Sequence, residues 1–99
     1  MDEAQALAGL AALSQATRLQ LYRLLVGYGP AGLSAGNIAE RLGIVPSSLS
    51  FHLQNLVHAG LITQRRVGRL MIYAAALDTM NDLLAYLTET CGEAATEAA

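Results

Sequence analysis

Gly43, Pro46 and Gly60 constrain this chain more than any other residues, because they fix where two consecutive helices stop and start. Ser34 can cap a short helix through Leu42, with Ile38, Ala39 and Leu42 as its buried stripe, and Gly43 sits where a left-handed C-terminal residue belongs. Three residues later Pro46 is preorganised for a first helical position, and Gly60 closes the helix it begins. The spacing predicts a helix from Pro46 to Ala59, about 21 Å long at 1.5 Å per residue. A short helix, a tight turn and a longer helix form a helix-turn-helix candidate.

The flanking segments complete the order. Ala4 to Leu13 is apolar on nearly every face, too polar-poor for a surface helix and too short to span a membrane, so it wants a partner. Ser14 is the expected N-cap of a second helix, with Leu21, Leu24 and Leu25 on one side, that ends near Gly27; Gly27 to Gly32 reads as loop. Leu61 to Arg66 and Arg69 to Ala75 are rich in Ile, Val, Thr, Tyr and Leu, and Val67-Gly68 between them matches a two-residue hairpin turn. Asp78 is the expected cap of a last helix carrying Met80, Leu83, Leu84 and Leu87. The expected fold is mainly α with a β-hairpin wing: four helices, two strands and a fifth helix, the order of a winged helix-turn-helix. Residues 1–92 are expected to form one winged-helix domain for DNA binding and dimerisation, and residues 93–99 read as a disordered tail.

Composition narrows the class further. Ninety-nine residues make one domain, and 54% hydrophobic against 14% charged excludes intrinsic disorder. Alanine and leucine contribute 18 residues each, Trp is absent and Phe51 is the single phenylalanine, a vocabulary that favours helices. So high an apolar fraction exceeds what a small monomer easily hides, and an oligomer is expected. The acidic start MDEAQ lacks the basic region of a secretory signal, and the longest uncharged run, residues 42–64, is broken by Pro46, serines, histidines and amides. One cysteine, Cys91, builds neither an intrachain disulfide nor a zinc finger, and the cytoplasm is the expected compartment.

A net charge of -2 conceals a strong asymmetry. Residues 41–77 contain Arg41, Arg65, Arg66 and Arg69 with no acid, whereas residues 78–99 hold five acids. All six cations of the chain are arginine, which suits bidentate phosphate or guanine contacts. On the Pro46 to Ala59 helix, at 100° per residue, Leu49, Leu53 and Leu56 share one side, while Ser47, Ser48, Phe51, Gln54 and Asn55 lie on the other. Serines and amides bond base edges without indiscriminate charge, and Phe51 either lies against a thymine methyl or packs on a neighbouring helix. His52, at the edge of the leucine stripe, reads as a hydrogen-bonding or phosphate-touching residue rather than a metal ligand. The candidate DNA contacts are therefore Ser47, Ser48, Ser50, Phe51, His52, Gln54 and Asn55 on the helix, with Arg65, Arg66 and Arg69 on the wing.

The runs Ala16-Thr17-Arg18-Leu19-Gln20-Leu21, Leu33-Ser34-Ala35-Gly36-Asn37-Ile38-Ala39, Ser47 to Ile62, and Arg65-Arg66-Val67-Gly68-Arg69 with Tyr73 resemble the ArsR/SmtB family of bacterial winged-helix repressors. The match spans about residues 7–91, and the motifs are specific in combination. The resemblance implies a homodimer joined through the first and last helices, by Leu7, Leu10, Leu83, Leu84 and Leu87, that binds a palindromic operator in double-stranded DNA. It also implies release from DNA by a metal, a metalloid or another small effector.

The sensing residues depart from the family pattern. Where relatives carry a Cys-x-Cys pair on the third helix, this chain has Ser34-Ala35-Gly36. Where others hold zinc on the last helix with an Asp and His pair and a further His and Glu, this chain has Asp78, Asp82 and Glu89 with no histidine. Glu89-Thr90-Cys91-Gly92 is similar to the Cys-Cys ending of arsenic-responsive relatives with the second cysteine replaced. Trivalent arsenic prefers three thiolates, and a homodimer would bring two. Cys91 is thus open to three readings: a ligand for As(III) or another thiophilic ion shared between protomers, an inert small hydrophobe at the dimer interface, or an oxidisable thiol, the last disfavoured by Glu89 and Glu93 beside it. No resident cofactor is otherwise expected.

Two other classes compete with a repressor. A winged helix that binds protein partners is consistent with the acidic total, but the arginine wing and the polar helix face speak against it. An effector-independent or redox-responsive regulator would keep the same DNA chemistry. An enzyme lacks support, because there is no Gly-rich phosphate loop and no nucleophile with a partnered base.

Overall fold

The computed structural model describes residues 1–89. The element order is α1 (Glu3–Leu13), α2 (Ala16–Tyr28), a short 3-10 turn (Gly29–Ala31), β1 (Leu33–Ser34), α3 (Ala35–Leu42), α4 (Pro46–His58), β2 (Ile62–Val67), β3 (Leu70–Ala75) and α5 (Leu77–Thr88). Five helices and a small antiparallel hairpin wing make a winged helix-turn-helix, as the sequence leads one to expect.

The helix-turn-helix forms for the expected reasons. Ser34 accepts a hydrogen bond from the Asn37 amide at the start of α3, and Gly43 takes the left-handed conformation at its end, with φ of 66°. Pro46 opens α4, where the missing N–H costs nothing. Ile38 from α3 and Leu49, Leu53 and Leu56 from α4 are buried, and they join Leu21, Tyr22 and Leu25 of α2 with Leu33, Leu61, Ile62 and Tyr73 in one core. That burial fixes the rotation of α4 about its axis, and hence which residues it exposes.

Four local expectations need correction. Ser14 does not cap α2: its hydroxyl donates to the Ala11 carbonyl at the end of α1, and the Gln15 side chain accepts from the Arg18 amide instead. With only Ser14 and Gln15 between the two helices, each side chain serves the nearer orphaned backbone group. The segment from Gly27 to Gly32 is not simple loop, since it extends α2 and then forms the 3-10 turn ahead of β1, a third strand that the sequence reading omits. β1 is two residues long, too short for periodicity to show, and it exists because β3 offers a partner: Leu33 pairs with Tyr73 and Ser34 with Ile72.

The hairpin turn is Gly68-Arg69, one residue later than expected, because Val67 pairs with Leu70. Gly68 has φ of 62°, and a positive φ at the first central residue is the type II′ pattern that matches strand twist; the earlier placement would put β-branched Val67 there. Finally, α5 begins at Leu77 on an Ala76 cap that has no side-chain bond, and Asp78 lies inside the first turn. The Ala76 amide is already tied to the Leu61 carbonyl at 2.8 Å, so the helix starts where the sheet ends.

One glycine is demanded by close approach. A Cβ on Gly32 would sit 2.3 Å from the Tyr73 carbonyl oxygen, and the residue also has φ of 65°. This contact allows β1 to reach β3, attaching the wing sheet to the helical body.

Candidate nucleic-acid interface

With Leu49, Leu53 and Leu56 turned inward, α4 exposes Ser47, Ser48, Ser50, Phe51 and Gln54, and leaves His52 and Asn55 half-buried at the margin of that face. The seven residues expected on the helix thus share one accessible surface. Phe51 is 65% exposed, so no helix among the described residues covers it; its ring instead meets His52 edge to face, with centroids 5.7 Å apart.

Beneath this face lies a contact that the sequence reading missed. Arg18, in the first turn of α2, donates from Nε to the Ala12 carbonyl at 2.7 Å and from Nη1 to Nδ1 of His52 at 3.2 Å. The guanidinium therefore ties the end of α1 to α4. A cation at a helix N-terminus opposes the helix dipole, and that unfavourable placement was the available signal that Arg18 has work elsewhere. Burial, and then the neighbouring Arg18 charge, hold the His52 pKa below its ordinary value, so the ring is neutral around pH 7.

The wing arginines divide into two groups. Arg65 donates from Nη1 to the Pro30 carbonyl and from Nη2 to the Ala31 carbonyl, both at 3.1 Å, clamping β2 to the 3-10 turn. Arg66 and Arg69 are exposed, with no such partner among the described residues. Arg41, the fourth cation of the basic segment, lies over the Tyr28 ring at 5.0 Å. Val67 and Leu70, which close the hairpin, are 52% and 56% exposed, so the wing tip presents an apolar pair between Arg66 and Arg69.

The residues expected at a dimer surface separate in the same way. Leu7, Leu10, Leu84 and Leu87 are exposed. Leu83 is 2% exposed and belongs to the chain's own interior, against α1 where Gly9 leaves room for it. α1 fully buries only small residues, Ala6, Gly9 and Ala12, and turns Leu7 and Leu10 outward, while Leu13 at its end is half-buried against the core.

Cys91 lies outside the described residues. Among the described residues no three His, Cys, Asp or Glu side chains come together as a metal site. Ser34, at the position of the third-helix thiol pair, is engaged as the cap of α3, and the acids of α5 have no histidine with them, so these residues do not fit a zinc or soft-metal site. No described helix is long and apolar enough to cross a membrane.

Comparison with known proteins agrees with this geometry. The family model for a helix-turn-helix domain matches residues 13–65. The transcriptional repressor SdpR of Bacillus subtilis (strain 168) is 32% identical over 76 residues, covering 77% of this chain and 81% of that protein. An ArsR-like transcriptional regulator from Rhodococcus sp. RHA1 superposes with a TM-score of 0.80 at 30% identity, over 96% of this chain and 86% of that one. The homodimeric winged helix-turn-helix DNA-binding domain of a possible ArsR-family transcriptional regulator from Mycobacterium bovis gives a TM-score of 0.70 at 26% identity, over 96% and 84% of the two chains.

Proposed function

The chain belongs to the ArsR/SmtB family of winged helix-turn-helix transcriptional regulators, and from that premise we propose that it is a homodimeric repressor released from its operator by a small effector. It is a DNA-binding regulator and not an enzyme. The carrying observation is that it exposes two chemically unlike sets of residues: uncharged polar side chains around Phe51 on α4 with Arg66 and Arg69 on the wing, and bare leucines on α1 and α5.

In this reading Leu7, Leu10, Leu84 and Leu87 are covered by a second copy. The dimer sets two α4 helices into successive major grooves, about 34–36 Å apart, on a palindromic operator. Ser47, Ser48, Ser50, Gln54 and Asn55 read base edges and Phe51 lies against a thymine methyl, while Arg66 and Arg69 neutralise phosphates on either side of the hairpin tip. Arg65 contributes by holding the wing in place, since two of its donors are committed to backbone carbonyls. Occupation of a promoter by such a dimer blocks transcription, in the cytoplasm where bacterial DNA lies, and the repressor described in Bacillus subtilis supports that direction of control. The effector reading rests on Cys91, one thiol per chain and two per dimer, available to a thiophilic metalloid or to oxidation.

Selection of duplexes from a random library, followed by sedimentation with and without the selected duplex, tests the core of this reading. A dimer that enriches a two-fold symmetric sequence supports it; a monomer, or a protein that enriches nothing, hands the fold to protein partners instead. Arsenite or peroxide should release the wild-type protein, whereas Cys91→Ser should bind the duplex equally well and ignore them. Wild-type protein that stays bound in both reagents would remove Cys91 as the sensor.

A further inference from the structure

The contact between Arg18 and His52 carries a consequence for how DNA is touched. Arginine has only donors, so the 3.2 Å approach of Nη1 to Nδ1 is a hydrogen bond only when Nδ1 is the unprotonated nitrogen. A neutral imidazole then carries its single proton on Nε2. Arg18 is itself held in place, because Nε is fixed to the Ala12 carbonyl at 2.7 Å. His52 is restrained on its other flank by the ring of Phe51. The imidazole is half-buried at the margin of the exposed α4 face, beside the serines and amides but not among them.

We propose that Arg18 is a positioning residue of the DNA interface, which holds His52 as its Nε2–H tautomer and so gives each protomer one fixed neutral donor for a backbone phosphate oxygen. This rests on the DNA-binding reading above. The margin of a helix lying in the major groove faces the groove wall, where the acceptors are phosphate oxygens, and contacts there set register without reading sequence. Without Arg18 the two neutral tautomers compete, and a phosphate meets a donor in only part of the population. Because Arg18 also grips the end of α1, the same residue joins an element with exposed leucines to the surface that meets DNA.

Two isosteric variants separate the nitrogens. The amide nitrogen of His52→Gln reaches the place of Nε2, whereas His52→Asn keeps a polar group only near Nδ1. Long-range proton–nitrogen correlation spectra of the free full-length protein at neutral pH should show the Nε2–H form in wild type and a mixture in Arg18→Ala; an Nδ1–H ring or a mixture in wild type overturns the proposal without involving DNA.

Anisotropy titrations on a duplex selected by the wild-type protein, and on a scrambled duplex, supply the second arm. His52→Gln should bind both within about twofold of wild type, and His52→Asn roughly tenfold more weakly on both, as expected for loss of a charge-assisted hydrogen bond. Loss on the selected duplex alone would overturn the phosphate assignment in favour of a base edge. Arg18→Ala should weaken binding like His52→Asn in the wild-type background and much less in the His52→Gln background, where no tautomer needs fixing. Equal losses in both backgrounds would show that Arg18 acts by stabilising the fold or by touching DNA itself. Failure of the wild-type protein to select any duplex would count against the DNA reading, while the spectra still judge the tautomer.

Discussion

The α4 face and the α1/α5 face both expose large apolar side chains to a similar degree, Phe51 at 65% and Leu7 at 58%, yet their surroundings differ completely. Around Phe51 stand Ser47, Ser48, Gln54 and a half-buried His52, with arginines on the adjoining wing. Around Leu7 stand Ala4, Ala8, Leu10 and Ala11, with no charged side chain between Glu3 and Arg18. Exposure of a hydrophobic residue is therefore a weak indicator by itself. Its neighbours decide whether the surface suits a hydrated, anionic groove or the same apolar surface on a second copy.

The largest expected effect breaks one face and leaves the other chemically intact. Leu84→Asp together with Leu87→Asp places two carboxylates per protomer in the proposed interface, and sedimentation should find monomer at micromolar concentration. DNA affinity should fall about a hundredfold or more with it, because two half-sites are no longer engaged together. Monomer that still binds DNA at full strength would show that the two faces work independently.

Substitutions on the α4 face and the wing come next. Gln54→Ala or Ser47→Ala should cost about 1 to 3 kcal/mol on the selected duplex alone, whereas Arg66→Ala should weaken every duplex alike and lower the salt slope by about 1. Neither should alter sedimentation. A change in oligomeric state on replacing Gln54 would place α4 in the interface instead.

An interior substitution provides a control that should move neither face. The Tyr22 hydroxyl is buried with no hydrogen-bond partner among the described residues, and burial pushes its pKa up. Tyr22→Phe should raise stability by about 1 kcal/mol in chemical denaturation, because an orphaned polar group is removed at nearly constant shape. A loss of stability would mean that the hydroxyl has a partner, a bridging water for example.

The smallest effect concerns pH. His52 is held below its ordinary pKa in the folded chain, so the unfolded chain binds its proton first on acidification. Stability should be complete above the unfolded value of about 6.5 and decline as pH falls from there toward the lower folded value. The ring is partly exposed, so the decline should be shallow, and His52→Gln should abolish that part of it. An unchanged profile in His52→Gln would assign the acid sensitivity to other groups.

Much of this is legible in the chain itself. Ser34, Gly43 and Pro46 specify the helix-turn-helix locally, since capping, a left-handed glycine and a fixed proline φ act within a few residues of their own position. The leucine stripe of α4 likewise settles which side chains it exposes, because helical periodicity converts spacing into direction. The tertiary structure alone decided the roles of residues whose partners are distant in sequence. Leu83 and Leu84 are neighbours in one apolar stripe, but only packing against α1 buries the first and leaves the second bare. Arg65 and Arg66 are identical in type, yet Arg65 is engaged by carbonyls 34 and 35 residues away, and Arg66 has no such partner among the described residues. β1 exists only because Gly32 lets the chain approach Tyr73, and Arg18 meets His52 only because α1, α2 and α4 converge. Local sequence fixes conformations whose energetics are local; the sharing of long side chains among distant backbone groups depends on the assembled fold.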